Sequence, residues 1–206
     1  MTAFCKIVRS LGVSVFFALA FHSAQAAQPI LSDPLTSWPL NFGVQGAQIF
    51  AKNNAVHIAI PANAANWAIY NGFTFTDMDA SVTVTPTNNL GNLGGLIFWS
   101  TGPNDFFELD VSDTNGTFAL EHRTSTGSGG WQAIVPFSKN PAIKGGAANV
   151  LRVVTKGNSV TLYINGQSIG SLNLMAPAGG GAVGIEAEST AKDPCDYAFT
   201  NLTVSQ

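Results

Sequence analysis

The chain has 206 residues, of which 46% are hydrophobic and only 10% are charged, and its formal net charge is −3. This low, mildly acidic charge argues against nucleic acid or an anionic membrane surface as a partner. A chain of this length is expected to form one domain that buries its own core.

The first 26 residues have the pattern of an export signal. Two basic residues precede an apolar stretch at residues 11–21, and Ala24-Gln-Ala26 is a small-x-small cleavage site. The stretch is too short for a membrane span. We therefore expect residues 1–26 to be a signal peptide and residues 27–206 to form a single domain, secreted or periplasmic and without membrane association after cleavage. Cys195 would then be the only cysteine, so no internal disulfide is expected.

The rest of the chain reads as short strands separated by tight turns. Asn165-Gly166 between alternating apolar runs is a strong hairpin signal, because a type I′ turn needs positive φ at both central residues. Strands are predicted at residues 47–52, 55–60, 67–70, 73–85, 95–100, 106–112, 117–123, 131–137, 149–155, 159–164, 167–174, 182–188 and 197–204. So many strands in one domain indicate an all-β antiparallel sandwich with two stacked sheets of six or seven strands, since one open sheet would leave an apolar face in water.

Period-2 alternation divides the predicted strand 106–112 into two faces. The core set is Phe107, Leu109 and Val111. The opposite set is Phe106, Glu108, Asp110 and Ser112. Two carboxylates and an aromatic ring on one exposed strand face form the most site-like group in the sequence.

Several segments, taken in chain order, carry a resemblance to a known group of proteins. They are Gly95-Leu-Ile-Phe98, Phe106-Phe-Glu-Leu-Asp110, Gly116-Thr-Phe-Ala-Leu120, Trp131, residues 149–158, Leu162-Tyr-Ile-Asn-Gly166, Gly184-Ile185 and Phe199-Thr-Asn201. This order resembles the concanavalin A-like lectin/glucanase jelly roll, and within that superfamily it is most similar to the 3-keto-disaccharide hydrolase-type domain and to laminin-G-like modules. The resemblance implies a jelly-roll sandwich that holds carbohydrate on a concave face or at rim loops.

One segment is also similar to a catalytic signature. Glu108-Leu-Asp110-Val-Ser-Asp113 resembles the Glu-x-Asp-x-x-Glu pattern of family-16 glycoside hydrolases, which implies Glu108 as nucleophile, Asp110 as helper and Asp113 as a shortened acid/base. Retaining hydrolysis needs two carboxyl groups about 5–5.5 Å apart. Asp113 departs from the pattern by one methylene, and it also begins a turn where an Asp side chain fits for local reasons.

Aromatic residues support the function that we favour, which is carbohydrate binding. A sugar stacks its apolar face on an aromatic ring, while polar neighbours hydrogen-bond to its hydroxyls. The candidate contact residues are Trp67, Tyr70, Trp99, Asn104, Asp105, Phe106, His122 and Arg123. For Trp67 and Trp99, packing and ligand contact are about equally expected, because Trp is seldom fully buried.

No cofactor is expected from the local sequence. Neither His57 nor His122 has a Cys, His or carboxylate partner at a metal-ligand spacing, so we expect no zinc or transition-metal site. The resemblance leaves open a structural calcium ion. The carboxylates available for it are Asp77, Asp79, Asp193 and Asp196.

Three functions therefore stay open. The first is an exported carbohydrate-binding, lectin-like domain. The second is a glycoside hydrolase, of the 3-keto-disaccharide or family-16 type, that uses Glu108 and Asp110 with a further acid from another strand. The third is a laminin-G-like adhesion or envelope structural protein without a small ligand.

Overall fold

The computed structural model describes residues 29–88, 90–124 and 130–206, so the predicted signal peptide lies outside the described residues. Within these ranges the chain forms one 3-10 turn, Leu40–Phe42, and fourteen strands. The strands are β1 (Pro29–Asp33), β2 (Ile49–Lys52), β3 (Ala55–Ile60), β4 (Ala65–Ile69), β5 (Met78–Pro86), β6 (Leu93–Gly102), β7 (Asp105–Ser112), β8 (Thr117–Arg123), β9 (Trp131–Lys139), β10 (Asn149–Lys156), β11 (Ser159–Ile164), β12 (Gln167–Asn173), β13 (Ala182–Glu188) and β14 (Cys195–Ser205).

The strands form two antiparallel sheets, which confirms the predicted all-β sandwich. The larger sheet has the order β12-β11-β10-β5-β14-β3-β2, and β1 also pairs with β14, which makes eight strands. The smaller sheet has six strands in the order β4-β13-β6-β7-β8-β9. The larger sheet exceeds the expected six or seven strands because β1 was not predicted. No helix in the described ranges is long and apolar enough to cross a membrane.

Alternate side chains of the two sheets meet in one core. In β7, Leu109 and Val111 are fully buried there and Phe107 packs against them, as the alternation predicts. Burying one side chain of this size contributes about 1.5–3 kcal/mol to folding. Glu108 and Asp110 therefore point away from the core, to the outer face of the six-stranded sheet.

The predicted Asn-Gly hairpin is present between β11 and β12. Asn165 and Gly166 have φ values of 51° and 79°, so both central residues have the positive φ of a type I′ turn. The Asn165 side chain also donates to the Ala142 carbonyl at 2.7 Å, which fixes the hairpin to the preceding loop.

Candidate functional site

Carboxylates from three strands meet on the outer face of the six-stranded sheet. The register places Glu121 of β8 opposite Glu108, and it places Gly95 of β6 between Asp110 of β7 and Glu186 of β13. We call Glu108, Asp110, Glu121 and Glu186 the acid cluster. One oxygen from each of Glu108, Asp110 and Glu121 lies within 4.8 Å of the others.

Gly95 makes room for this arrangement. A Cβ atom on Gly95 would overlap the Asp110 carboxylate and would lie 3.3 Å from Glu186 Oε2. The carboxylates of β7 and β13 thus occupy space above β6 that any larger residue would fill. The sequence alone did not indicate this meeting, because Glu186 is 76 positions from Asp110 along the chain.

The structure buries this face, although the alternation of β7 had placed it in solvent. Glu108, Asp110 and Glu186 are each 1% exposed, because they share the face with the buried side chains of Ile97 and Phe106. Burial raises the pKa of all three carboxyl groups well above their ordinary values. The negative charges of neighbouring carboxylates raise these pKa values further, so the three groups hold protons at higher pH than free carboxylates do.

The unpaired polar groups of the described chain concentrate here. Within residues 29–88, 90–124 and 130–206, the buried side-chain atoms without a hydrogen-bond partner are Glu108 Oε2, both carboxylate oxygens of Asp110 and of Glu186, and Arg123 Nε. Ionised carboxylates only accept hydrogen bonds, so Asp110 and Glu186 can pair with each other only through a shared proton. An unpaired buried polar group costs about 1–3 kcal/mol, so the concentration of six such atoms on one face needs a reason.

Arg123 lies on the same face and is held between two indole rings. Its guanidinium carbon is 4.4 Å from the ring centroid of Trp67 and 4.6 Å from that of Trp131. Phe106 packs against both rings, with centroid distances of 5.5 and 5.9 Å. We call Trp67, Phe106, Arg123 and Trp131 the aromatic clamp. It brings together three of the predicted contact residues and adds Trp131, which was not among them.

Two predicted contact residues lie in the core instead. Trp99 is 1% exposed, and its Nε1 donates to the Thr76 carbonyl at 2.9 Å. Tyr70 is buried and its hydroxyl donates to Asp33 at 2.9 Å. Burial, and then Asp33, raises the pKa of Tyr70 to about 12. Both rings pack between the sheets, so neither offers a face to a ligand.

Asp113 is separated from the acid cluster, because its carboxylate turns to the core side of the sheet. It accepts hydrogen bonds from the Tyr197 hydroxyl at 2.9 Å and from the Gly146 N–H at 2.8 Å. Its backbone carbonyl closes the turn to the Gly116 N–H at 3.1 Å. The side chain serves local structure, and the acid/base role implied by the glycosidase signature has no geometric support at this position.

The remaining predicted contact residues form a separate network where β6 turns into β7. His122 Nε2 lies 3.0 Å from Asp105 Oδ1, and the ring of His122 stacks on Phe107 at 4.0 Å. Thr101 donates to the other oxygen of Asp105 at 2.7 Å, which lowers the pKa of that carboxyl group. Asn104 lies in the same turn and is half-buried.

The four aspartates considered for calcium each have a partner elsewhere. Asp79 bonds to Arg152, Asp196 to His57, Asp77 to the Gly157 N–H and Asp193 to Thr190. In the described part of the chain, the acidic residues that do converge in a metal-like group are Glu108, Asp110 and Glu121. The sequence marked Glu108 and Asp110 in one strand but missed that Glu121 joins them, because Glu121 comes from the neighbouring strand β8.

A groove of about 790 Å³ runs along the outer edge of β4, next to the aromatic clamp. Its lining includes Trp38, Phe42, Asn66, Trp67 and Thr101. Trp67 therefore lines the groove and also belongs to the aromatic clamp. Its Nε1 donates a 2.8 Å hydrogen bond to the Pro103 carbonyl, which fixes the ring.

Comparison with known proteins identifies the fold. No protein-family model and no curated protein sequence matches the chain. The carbohydrate-binding module CBM66 from Bacillus subtilis is similar in structure, with a TM-score of 0.60 and 12% identity, over 79% of this chain and 90% of that chain. The β-glucanase of Bacillus licheniformis has a TM-score of 0.61 and 10% identity, over 88% of this chain and 100% of that chain.

A Bacillus subtilis protein described as having a galectin-like fold and unknown function is also similar. Its TM-score is 0.63 and its identity 15%, over 86% of this chain and 96% of that chain. At such low identities the likeness shows the fold and not the activity. The finer resemblance to the 3-keto-disaccharide hydrolase-type domain stays a prediction. The chain has the concanavalin A-like jelly-roll fold that its order of segments resembles.

Proposed function

We propose that this protein binds carbohydrate on the outer face of its six-stranded sheet. The observation that carries the proposal is that the six unpaired buried polar atoms belong to Glu108, Asp110, Glu186 and Arg123, all on this face. Sugar hydroxyls donate to carboxylate oxygens and also accept from a guanidinium group. A sugar has the donors and acceptors to satisfy both kinds of unpaired atom at once, and because these atoms are buried, its binding requires half-buried side chains on this face to move aside.

The aromatic clamp supplies the apolar part of such a site. Trp67 and Trp131 are half-buried, so each ring keeps part of its surface available for the C–H face of a sugar. Arg123 is held between them and lies within the same face. The structural likeness to a carbohydrate-binding module supports this proposal, and the predicted signal peptide supports a location outside the cytoplasm.

Affinity electrophoresis in gels that contain soluble β-glucan or fructan tests the proposal. We expect the wild-type protein to be retarded by at least one polysaccharide. Trp131→Ala should weaken that binding by about tenfold or more, because it removes a stacking surface worth about 1.4 kcal/mol. Trp38→Ala is the matched control, since Trp38 lines the neighbouring groove and not the clamp.

Retardation that survives Trp131→Ala but is lost in Trp38→Ala would move the binding site to the groove. Absence of retardation by any polysaccharide would overturn the proposal and would favour the laminin-G-like alternative. Thermal unfolding of each variant shows whether the substituted protein is still folded.

Glycoside hydrolysis is the second candidate, and a specific observation favours it. Oxygens of Glu108, Asp110 and Glu121 lie within 4.8 Å of one another, so carboxyl groups of two strands meet at one place, as the pair of carboxyl groups in a glycoside hydrolase must. Burial raises the pKa of Glu121, which suits the proton-bearing carboxyl group of such a pair. The acid/base would then come from the neighbouring strand, through Glu121, and not from Asp113.

Release of reducing sugar from the polysaccharides that bind would test this second candidate. An enzyme of this type should lose activity in Glu108→Gln. Activity that is unchanged in Glu108→Gln would exclude the assignment of that residue, and absence of hydrolysis by the wild type would leave binding as the function.

A further inference from the structure

We propose that the acid cluster binds one calcium ion, with Glu108, Asp110, Glu121 and Glu186 as ligands. Calcium takes oxygen ligands at about 2.3–2.6 Å, so two ligands on opposite sides of the ion are about 4.6–5.2 Å apart. The oxygens of Glu108, Asp110 and Glu121 lie within 4.8 Å of one another, so no pair is farther apart than opposite ligands of one calcium ion can be. Magnesium usually keeps several waters and takes only one or two carboxylates, so a group of four carboxylates favours calcium.

Glu186 provides an independent observation that points to a ligand. It comes from β13, outside the converging group of β7 and β8, and it is 1% exposed with both carboxylate oxygens unpaired. Its Oε2 is directed at the space above Gly95, which the Asp110 carboxylate also enters. A fourth carboxylate, itself buried, therefore lies beside Asp110 without a protein donor to satisfy it.

The chemistry of the donors selects the class of ion. All four ligands are carboxylates, which suit a hard cation, whereas zinc and copper favour the nitrogen or sulfur donors that this group lacks. Arg123 is the cation held on the same face, and its guanidinium is directed between two indole rings. A divalent ion would balance buried negative charge that costs several kcal/mol when it is left alone.

Glu121 lies at the solvent side of the acid cluster, where an ion would enter. It is half-buried, whereas the other three ligands are almost fully buried. Glu188 is also half-buried on this face, but, unlike Glu186, it has no buried unpaired oxygen. The ion and the proposed sugar would use the same carboxylates, so calcium binding is measured in the absence of sugar.

Isothermal titration of EDTA-treated protein with CaCl₂ and with MgCl₂ at pH 7.5 tests the site. We expect one calcium ion per chain, bound more tightly than magnesium, and a higher melting temperature in CaCl₂. Glu121→Gln should lower the calcium affinity about 10- to 100-fold, because it removes a ligand at the accessible side of the cluster. Its half-buried position makes this variant the one that should fold normally.

Glu188→Gln is the matched control. It removes the same charge from a half-buried position on the same face, so a loss of less than about threefold is expected from weaker general attraction. Equal losses in Glu121→Gln and Glu188→Gln would show diffuse attraction and not coordination. No binding at millimolar CaCl₂, or magnesium binding as tight as calcium binding, would overturn the proposal.

Sugar binding is measured separately, by repeating the affinity gels in EDTA and in CaCl₂. Failure of the calcium site would appear as the absence of calcium binding while polysaccharide still retards the protein. Failure of carbohydrate binding would appear as calcium binding without retardation.

Discussion

The outer faces of the two sheets differ in whether their charged residues are exposed and paired. On the eight-stranded sheet, Asp79 and Arg152 pair through two hydrogen bonds of 2.6 and 2.5 Å, and Arg152 lies 4.7 Å from the centre of the Tyr163 ring. These groups are partly exposed. On the six-stranded sheet, Glu108 and Asp110 are buried and keep carboxylate oxygens without partners.

The difference distinguishes charged residues that pair with each other and support the fold from buried carboxylates that need a ligand. Both faces follow the same strand alternation within one fold, so topology does not account for it. Partly exposed charges that pair with each other are nearly neutral for stability, at about 0–1 kcal/mol. Buried charges without partners destabilise the fold unless a proton, an ion or another ligand satisfies them. The comparison therefore supports the outer face of the six-stranded sheet as the proposed functional surface.

The largest expected effect is a pH dependence of stability that arises on this face alone. Burial raises the pKa values of Glu108, Asp110 and Glu186 well above their ordinary values of 4.5, 3.8 and 4.5. The folded state then binds these protons more tightly than the unfolded state does. Their stabilising contribution is fully present below pH 4 and is lost as pH rises through the raised pKa values, by about 1.4 kcal/mol per pH unit for each group.

Urea unfolding between pH 4 and pH 8 in EDTA measures this dependence. Glu186→Gln should flatten the decline, because glutamine keeps a hydrogen-bond donor next to Asp110 but does not titrate. Glu121 and Glu188 also have pKa values raised by burial, so part of the slope should persist in the variant. If Asp79→Asn, on the eight-stranded sheet, flattened the decline of stability with pH as much as Glu186→Gln, the decline would not come from the acid cluster.

Most of the fold could be predicted from the sequence, because strands and turns are local. Alternation in β7 and the Asn165-Gly166 turn depend on residues within a few positions of each other, and both are present in the structure. The strand Pro29–Asp33 was missed because it is short and begins with proline, and it becomes a strand only through its pairing with β14.

The candidate site could be predicted only in part, because it is assembled by register across strands. Glu108 and Asp110 were found, since both lie in one strand. Glu186 joins them only because β13 and β7 both pair with β6, and no local pattern reports that. Trp99 was misplaced for the opposite reason, since its burial depends on its packing between the sheets and not on its neighbours in sequence.

A glycine substitution gives the next largest effect and isolates the packing of the acid cluster. Gly95→Ala would place a Cβ inside the Asp110 carboxylate, so we expect a loss of about 1–3 kcal/mol in the free energy of unfolding. The displaced carboxylate should also lower calcium affinity. Gly170→Ala is the matched control on the eight-stranded sheet, because nothing lies within 4 Å of its Cβ.

Chemical unfolding of both variants measures the difference. Gly170→Ala should be neutral or slightly stabilising, since alanine restricts the unfolded chain more than glycine does. A similar loss in both variants would mean that the Gly95 effect is a general cost of replacing glycine in a strand and does not report on the carboxylates.

The smallest expected effect comes from the charge pair on the eight-stranded sheet. Arg152→Met removes the pair with Asp79, yet it leaves two partly exposed positions that water can solvate. We expect the free energy of unfolding to fall by at most about 1 kcal/mol, and polysaccharide and calcium binding to stay at wild-type levels. Affinity electrophoresis and calcium titration check the second part. A clear loss of polysaccharide or calcium binding in Arg152→Met would mean that charged residues on the outer face of the eight-stranded sheet also take part in binding. The difference between the two outer faces would then no longer support a site on the six-stranded sheet.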